Sequence, residues 1–141
     1  MRSYETDFAG WAEDTARAIC DGRWSEIDRV ALADEVASLG KQERQRLRGG
    51  LAILLQHLLK LRYQPTKASR SWQITVELQR REAVRLLEES PSLRPVLDEL
   101  TASAYKIGCL RAAQETGLAP EAFPEKNPFT DEEIWGDHKL D

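Results

Sequence analysis

A chain of 141 residues, 41% hydrophobic and 31% charged, suits one domain that buries roughly 70% of the surface its unfolded form exposes, and it is too apolar for wholesale disorder. Its longest apolar run, Leu51–Leu55, is about a quarter of a membrane span, and the start MRSYETDF lacks the basic residues and apolar stretch of a secretory signal, so a cytoplasmic protein with no membrane association is expected. The net charge of −4 hides a partition: four Arg against nine acids in residues 1–40, eleven Lys or Arg against three acids in 41–85, and five against twelve in 86–141.

No repeat is present, and nothing alternates with period two for long enough to be a strand. The first helix is predicted over Asp7–Cys20, with Phe8, Trp11, Ala12, Thr15, Ala16 and Ile19 on one face and Asp21-Gly22 as its stop. Trp24 and Ile27 mark a tight connection. Ser25 or Asp28 caps a second helix that ends at Leu39-Gly40, its apolar side made by Val30, Leu32, Ala33, Val36 and Leu39. A third, central helix starts at about Lys41 and runs to Tyr63. Leu47, Leu51, Ala52, Leu54, Leu55, Leu58, Leu59 and Leu61 cover an arc about 180° wide on it, so it needs neighbours on two sides. Ile53, Gln56 and Lys60 fall on the remaining strip, and His57 sits about 40° past the edge of the arc.

Pro65 stops the central helix, and Gln64–Ala68 form a turn. Ser69 or Ser71 caps a fourth helix reaching about Glu89, whose apolar arc of Trp72, Val76, Ala83, Leu86 and Leu87 also holds Gln79, with Arg80 at its border. Polar side chains on a packed face need partners, because leaving one unpaired costs about 1–3 kcal/mol. Ser90–Pro95 breaks the chain. A fifth helix with Val96, Leu97, Leu100, Ala104, Ile107 and Leu110 follows to about Thr116, with Gly117 as its stop. Pro120, Pro124 and Pro128 then exclude a long helix and predict an extended strap ordered by Phe123, Phe129 and Trp135. A capping box, Thr130 to Glu133, with Phe129 and Ile134 as its hydrophobic staple, predicts one terminal helical turn before the last few residues fray. The expectation is thus one all-α domain over residues 1–141: a helical bundle of about five helices, near 7–117, with a Pro/aromatic strap over 118–141.

Tyr4-Glu5-Thr6-Asp7-Phe8 with Trp11, Glu35 with Ser38-Leu39-Gly40, and Leu54-Leu55 with His57-Leu58-Leu59-Lys60 and Tyr63-Gln64-Pro65 form one ordered set of segments. Ser69-Arg70-Ser71-Trp72, Gln79-Arg80-Arg81, Ser90-Pro91-Ser92-Leu93 and Phe123-Pro124 complete it. In these segments the chain resembles a bacterial family known as domain of unknown function 29. It departs from the family pattern at Ala37, where an acid is common, at Leu61, often Trp, and at Asn127, sometimes Cys. The resemblance implies an all-helical domain and supplies no activity.

Spacing and resemblance together single out Glu35, Arg44, His57, Lys60, Gln79 and Arg80. Arg44 projects into the central apolar arc and demands a carboxylate, for which Glu35 or Asp34 is at hand. A Glu35–Arg44 ion pair would fix the angle between the second and third helices. His57, the sole histidine of the body, is expected to bond Gln79 or a nearby backbone carbonyl with Trp72 against it. Its functional version is a general base oriented by Glu35, with Arg80 as oxyanion or phosphate partner. No metal or cofactor is expected: neither His has an acid three residues upstream, Gly49-Gly50 follows no strand and reads as a close helix approach or kink, and Cys20 and Cys109 are expected as buried free thiols.

The basic middle has two readings, neutralisation by the acidic ends or an anionic partner on the central helices, such as a phosphorylated metabolite or nucleic acid, the latter with Tyr63 and Trp72 for stacking. Ile74 and Leu78, opposite Trp72, leave apolar surface for a homodimer or protein partner. The leading reading is therefore a binding or protein-interaction module with Arg44, Lys60, Trp72, Gln79 and Arg80 as binding candidates. The alternatives are a nucleic-acid binder or a non-metal enzyme centred on His57, Glu35 and Arg80.

Overall fold

The protein is described by a computed structural model covering residues 1–138. Its long helices are α1 (Phe8–Cys20), α2 (Arg29–Tyr63), α3 (Arg70–Glu89) and α4 (Leu97–Thr116). A short α5 (Asp131–Trp135) follows, and no strand occurs among the described residues. The fold is all-α, as expected. No helix among these residues is long and apolar enough to cross a membrane. The predicted fraying of the last few residues lies outside the described residues.

The local signals act largely as read. Asp7 caps α1 by accepting from the Gly10 amide, Ser69 caps α3 by accepting from Trp72, and Gly117 ends α4 at φ +77. Pro65 and Pro91 each open a 3-10 turn, over Pro65–Lys67 and Pro91–Val96. The capping box at the start of α5 is complete, with the Thr130 hydroxyl accepting from the Glu133 amide and the Glu133 carboxylate accepting from Thr130.

One boundary differs. The predicted second and third helices are a single helix, because Gly40 lies inside α2 with a φ that is not positive. Lys41, Gln42, Glu43 and Arg44 are good helix formers, and with no left-handed residue to end the hydrogen-bond ladder it continues through the glycine.

The chain forms two compact units, Met1–Gln42 and Glu43–Asp141. In the first, α1 packs its Gly10, Trp11, Thr15 and Ala18 inward, and the Tyr4 ring meets both Phe8 and Trp11. Phe8 and Ile19, predicted on the packed face, are exposed, as are Val30, Val36 and Leu39.

In the second unit Leu47, Leu51, Ala52, Leu54, Leu55 and Leu59 of α2 are fully enclosed. They pack in one core with Val76, Ala83, Leu86 and Leu87 of α3, and with Leu100, Ala104, Tyr105 and Ala112 of α4. The strap closes this core with Phe123, Phe129, Ile134 and Trp135. It is pinned by the Tyr105 hydroxyl, which donates to the Pro124 carbonyl at 2.6 Å, and by the Phe123 ring set edge-on to Tyr63. Gly108 lets α4 approach α2 so closely that a Cβ there would lie 3.1 Å from the Ala52 carbonyl and the Gln56 amide nitrogen. Leu110, predicted apolar-facing on α4, is exposed.

Candidate functional site

The polar strip of α2 is the first place where charge enters the core. Lys60 is only 6% exposed. Its ammonium is ion-paired with the Glu115 carboxylate of α4 and lies 4.3 Å from the centre of the Trp72 ring of α3. Gln56, also buried, donates from Nε2 to the other Glu115 oxygen at 2.8 Å. These partners hold the Glu115 carboxyl below its ordinary range, chiefly through Lys60. A buried ammonium needs both a counter-ion and donors satisfied around it, and here one carboxylate and one aromatic face supply them.

His57 stands beside this cluster, half-buried. Its Nδ1 lies 2.8 Å from the Ile53 carbonyl one turn back. A carbonyl only accepts, so Nδ1 carries a proton in this contact. The nearby-carbonyl expectation is met by this helix's own backbone, while Gln79 lies against Gly50. Its Oε1 sits 3.0 Å from where a Cβ on Gly50 would be, which gives the Gly49-Gly50 pair its close approach at Gly50, while Gly49 has open space.

Arg80 makes a second node. Its Nε donates to the Ile134 carbonyl at 2.8 Å, Nη2 to the Glu133 carbonyl at 3.0 Å, and Nη1 to the Glu77 carboxylate at 2.7 Å. The guanidinium therefore caps the open carbonyls at the end of α5. A Cβ on Gly136 would come within 3.1 Å of it, and Gly136 has φ +62, so both contact and backbone favour glycine there. Glu77 also binds Arg81, and His138 lies 3.5 Å away; Arg81 first, then Arg80, hold its carboxyl down to about 2. Arg62 fixes the other side of the strap, its guanidinium over the Phe129 ring and bonded to Glu133.

The remaining candidates lie apart from these nodes. Glu35, in the first unit, accepts a 2.6 Å hydrogen bond from the Tyr4 hydroxyl, which raises the Tyr4 pKa. Arg44 is exposed rather than buried in the apolar arc. It is nine residues from Glu35 on one helix, whereas pairs within a helix form at three or four, so the expected ion pair has no angle to fix. Both cysteines are free, but Cys20 is exposed and Cys109 half-buried, not core thiols.

Sequence reasoning missed Glu115 and Glu77, and read Glu133 as a capping residue without its partner Arg62. Glu115 was signalled, since Ala104, Gly108, Ala112 and Glu115 follow 4-4-3 spacing and put an acid on the small-residue stripe of α4. An open cleft of about 650 Å³ in the second unit is lined by Arg94, Asp98, Thr101, Asn127 and His138 above Phe129 and Trp135. None of the sequence-derived candidates lines it.

Fold and site together define a small all-helical protein whose buried polar groups hold helices and strap in place. The chain belongs to the family of the domain of unknown function DUF29, whose model matches residues 3–138. No curated protein and no solved structure matches it.

Proposed function

We propose that the chain is a protein-interaction module of the cytoplasm, binding through apolar helix surface that its own packing leaves open. The observation that carries this reading is where the exposed large hydrophobic residues fall. Phe8, Ile19, Trp24, Val30, Val36 and Leu39 belong to residues 1–42, and Ile74 and Leu78 stand one turn apart on α3. Single exposed apolar residues need no explanation, but rows of them along a helix face mark partner surfaces. Two free thiols fit a reducing compartment.

The polar nodes support the same choice. Six of the eleven cations between residues 41 and 85, namely Arg46, Lys60, Arg62, Arg80, Arg81 and Arg85, are engaged by acids, which favours neutralisation within the molecule over a phosphate partner. Arg80 is committed to strap carbonyls and Glu35 to Tyr4, so a His57 enzyme has little left to work with.

The test immobilises the wild-type chain and two double variants, Val36→Glu/Leu39→Glu and Ile74→Glu/Leu78→Glu, in native extract. A protein, or the chain itself, held by wild type and released by one variant is expected. Identical retention by all three, with every form sedimenting as the same monomer, would defeat the reading.

A further inference from the structure

We infer that residues 1–42 are one half of a symmetric four-helix interface whose other half is the same segment of a second copy. This rests on the interaction reading above and names its partner. On α1 the packed stripe of Trp11, Thr15 and Ala18 is flanked by an open one: Phe8, Ala12, Ala16 and Ile19 fall within an arc of about 80°, and Ala9 and Cys20 widen it to about 120°. Glu13, Asp14 and Arg17, the charged residues of α1, all lie outside it. On α2 the stretch from Val30 to Gly40 has a similar face. Leu39, Val36, Gly40 and Ala33 are exposed along an arc of about 120°, with Glu35 and Asp34 beyond its two edges and Arg29, the first residue of α2, within it.

Two features of these faces select a second copy over another occupant. First, the α1 face carries no charge and the α2 face carries one, Arg29, in a unit that is acidic overall, so a strongly acidic or strongly basic partner gains little by docking there. Residues 1–42 are acidic overall, with nine acids against five cations, yet Glu13 and Asp14 are already held by Arg2 and Glu26 by Arg23. Second, the faces are self-complementary. On α1 the order is large, small, small, large (Phe8, Ala12, Ala16, Ile19) and on α2 small, large, large, small (Ala33, Val36, Leu39, Gly40), so a two-fold axis that lays α1 of one copy on α2 of the other sets knobs against holes.

Size points the same way. α1 and the first turns of α2 bury only one large side chain, Trp11, beside small residues, and two such pairs make a four-helix bundle. Phe8 is 52% exposed, Val36 59% and Leu39 61%. With the alanines, roughly 600 Å² per copy could be covered, close to the lower limit for a specific interface.

The experiment is sedimentation velocity on the purified full chain at about 1–100 µM, which covers the weak association of interfaces at the small end of the size range. A monomer–dimer equilibrium is expected for wild type and for Ile74→Glu/Leu78→Glu. The dissociation constant should rise by about 100-fold in Val36→Glu/Leu39→Glu, and likewise in Ala16→Glu, which tests the other helix should the first variant lose helicity by circular dichroism. Because the two units are acidic overall, their repulsion is screened by salt, which should leave the dimer unchanged or tighten it. A monomer at every concentration overturns the second copy as occupant, and the extract experiment then decides the broader reading alone. A dimer that survives both variants of the first unit, or is lost only with the α3 variant, overturns the inference outright.

Discussion

Burying an ammonium is costly unless its partner stays fixed, and the Lys60–Glu115 pair is lopsided in this respect. The Lys60 side chain is 8% exposed and that of Glu115 46%. Removing one partner therefore differs from removing the other. Glu115→Ala strands a cation in the core with only the Trp72 face and should cost about 2–3 kcal/mol, below the full cost of a broken buried pair because the ring remains. Lys60→Met leaves a carboxylate that water can reach and fills the space with an apolar chain of similar length, so it should cost less than about 1 kcal/mol. Urea denaturation of both variants checks the order. Equal losses would mean that the pair is solvated and the packing of Lys60 incidental. Lys60 was legible in the sequence as a polar residue on an enclosed helix. Its counter-ion, 55 residues away, was not, since spacing within one helix names a demand and never the chain segment that meets it.

At the level of helices and strap, two glycines should respond to the same substitution with opposite signs. Gly40 is exposed inside α2, and nothing lies within 4 Å of a Cβ placed there. Gly40→Ala should stabilise the protein by about 0.5–1 kcal/mol. Gly108→Ala drives a methyl against the backbone of α2 and should destabilise by about 1–3 kcal/mol. Thermal unfolding of the two variants distinguishes them, and a loss at Gly40 would restore the helix break that the sequence suggests. The mistaken break has a plain origin: glycine both ends helices and sits within them, and which happens depends on whether the next turn can form. Arg80 illustrates the other limit of sequence reading. A cation beside the packed face of α3 asks for acceptors; one is the Glu77 carboxylate three residues back, but the other two are main-chain carbonyls at Glu133 and Ile134, which leave no signature in side-chain pattern. Arg80→Lys cannot span three acceptors, so hydrogen exchange at Ile134–Gly136 should quicken by about tenfold while the core of α2 keeps its protection.

Across the whole chain, the basic middle is joined to the acidic end by ion pairs that cross between segments, Lys60 to Glu115 and Arg62 to Glu133, besides those within α3. The partition of charge was plain from composition, and its consequence for stability follows from which groups titrate. Glu77 is held down to about 2 by Arg81 and Arg80, Glu115 is lowered by Lys60, and Glu133 is lowered first by the Thr130 amide. In each case the folded pKa lies below the ordinary value near 4.3, so the unfolded chain takes up protons first as pH falls. The stability these carboxylates contribute is present above that ordinary value and is lost as pH drops through it toward their folded values. The melting temperature should be flat between about pH 7 and 5 and fall steeply below about pH 4. Glu77→Gln isolates one share of this. The variant should melt about 2 °C below wild type at pH 6, a modest gap because Glu77 is partly exposed, and the two should converge as pH approaches 2. A gap that held constant across the acid limb would show that Glu77 acts through hydrogen bonding alone, with its charge irrelevant.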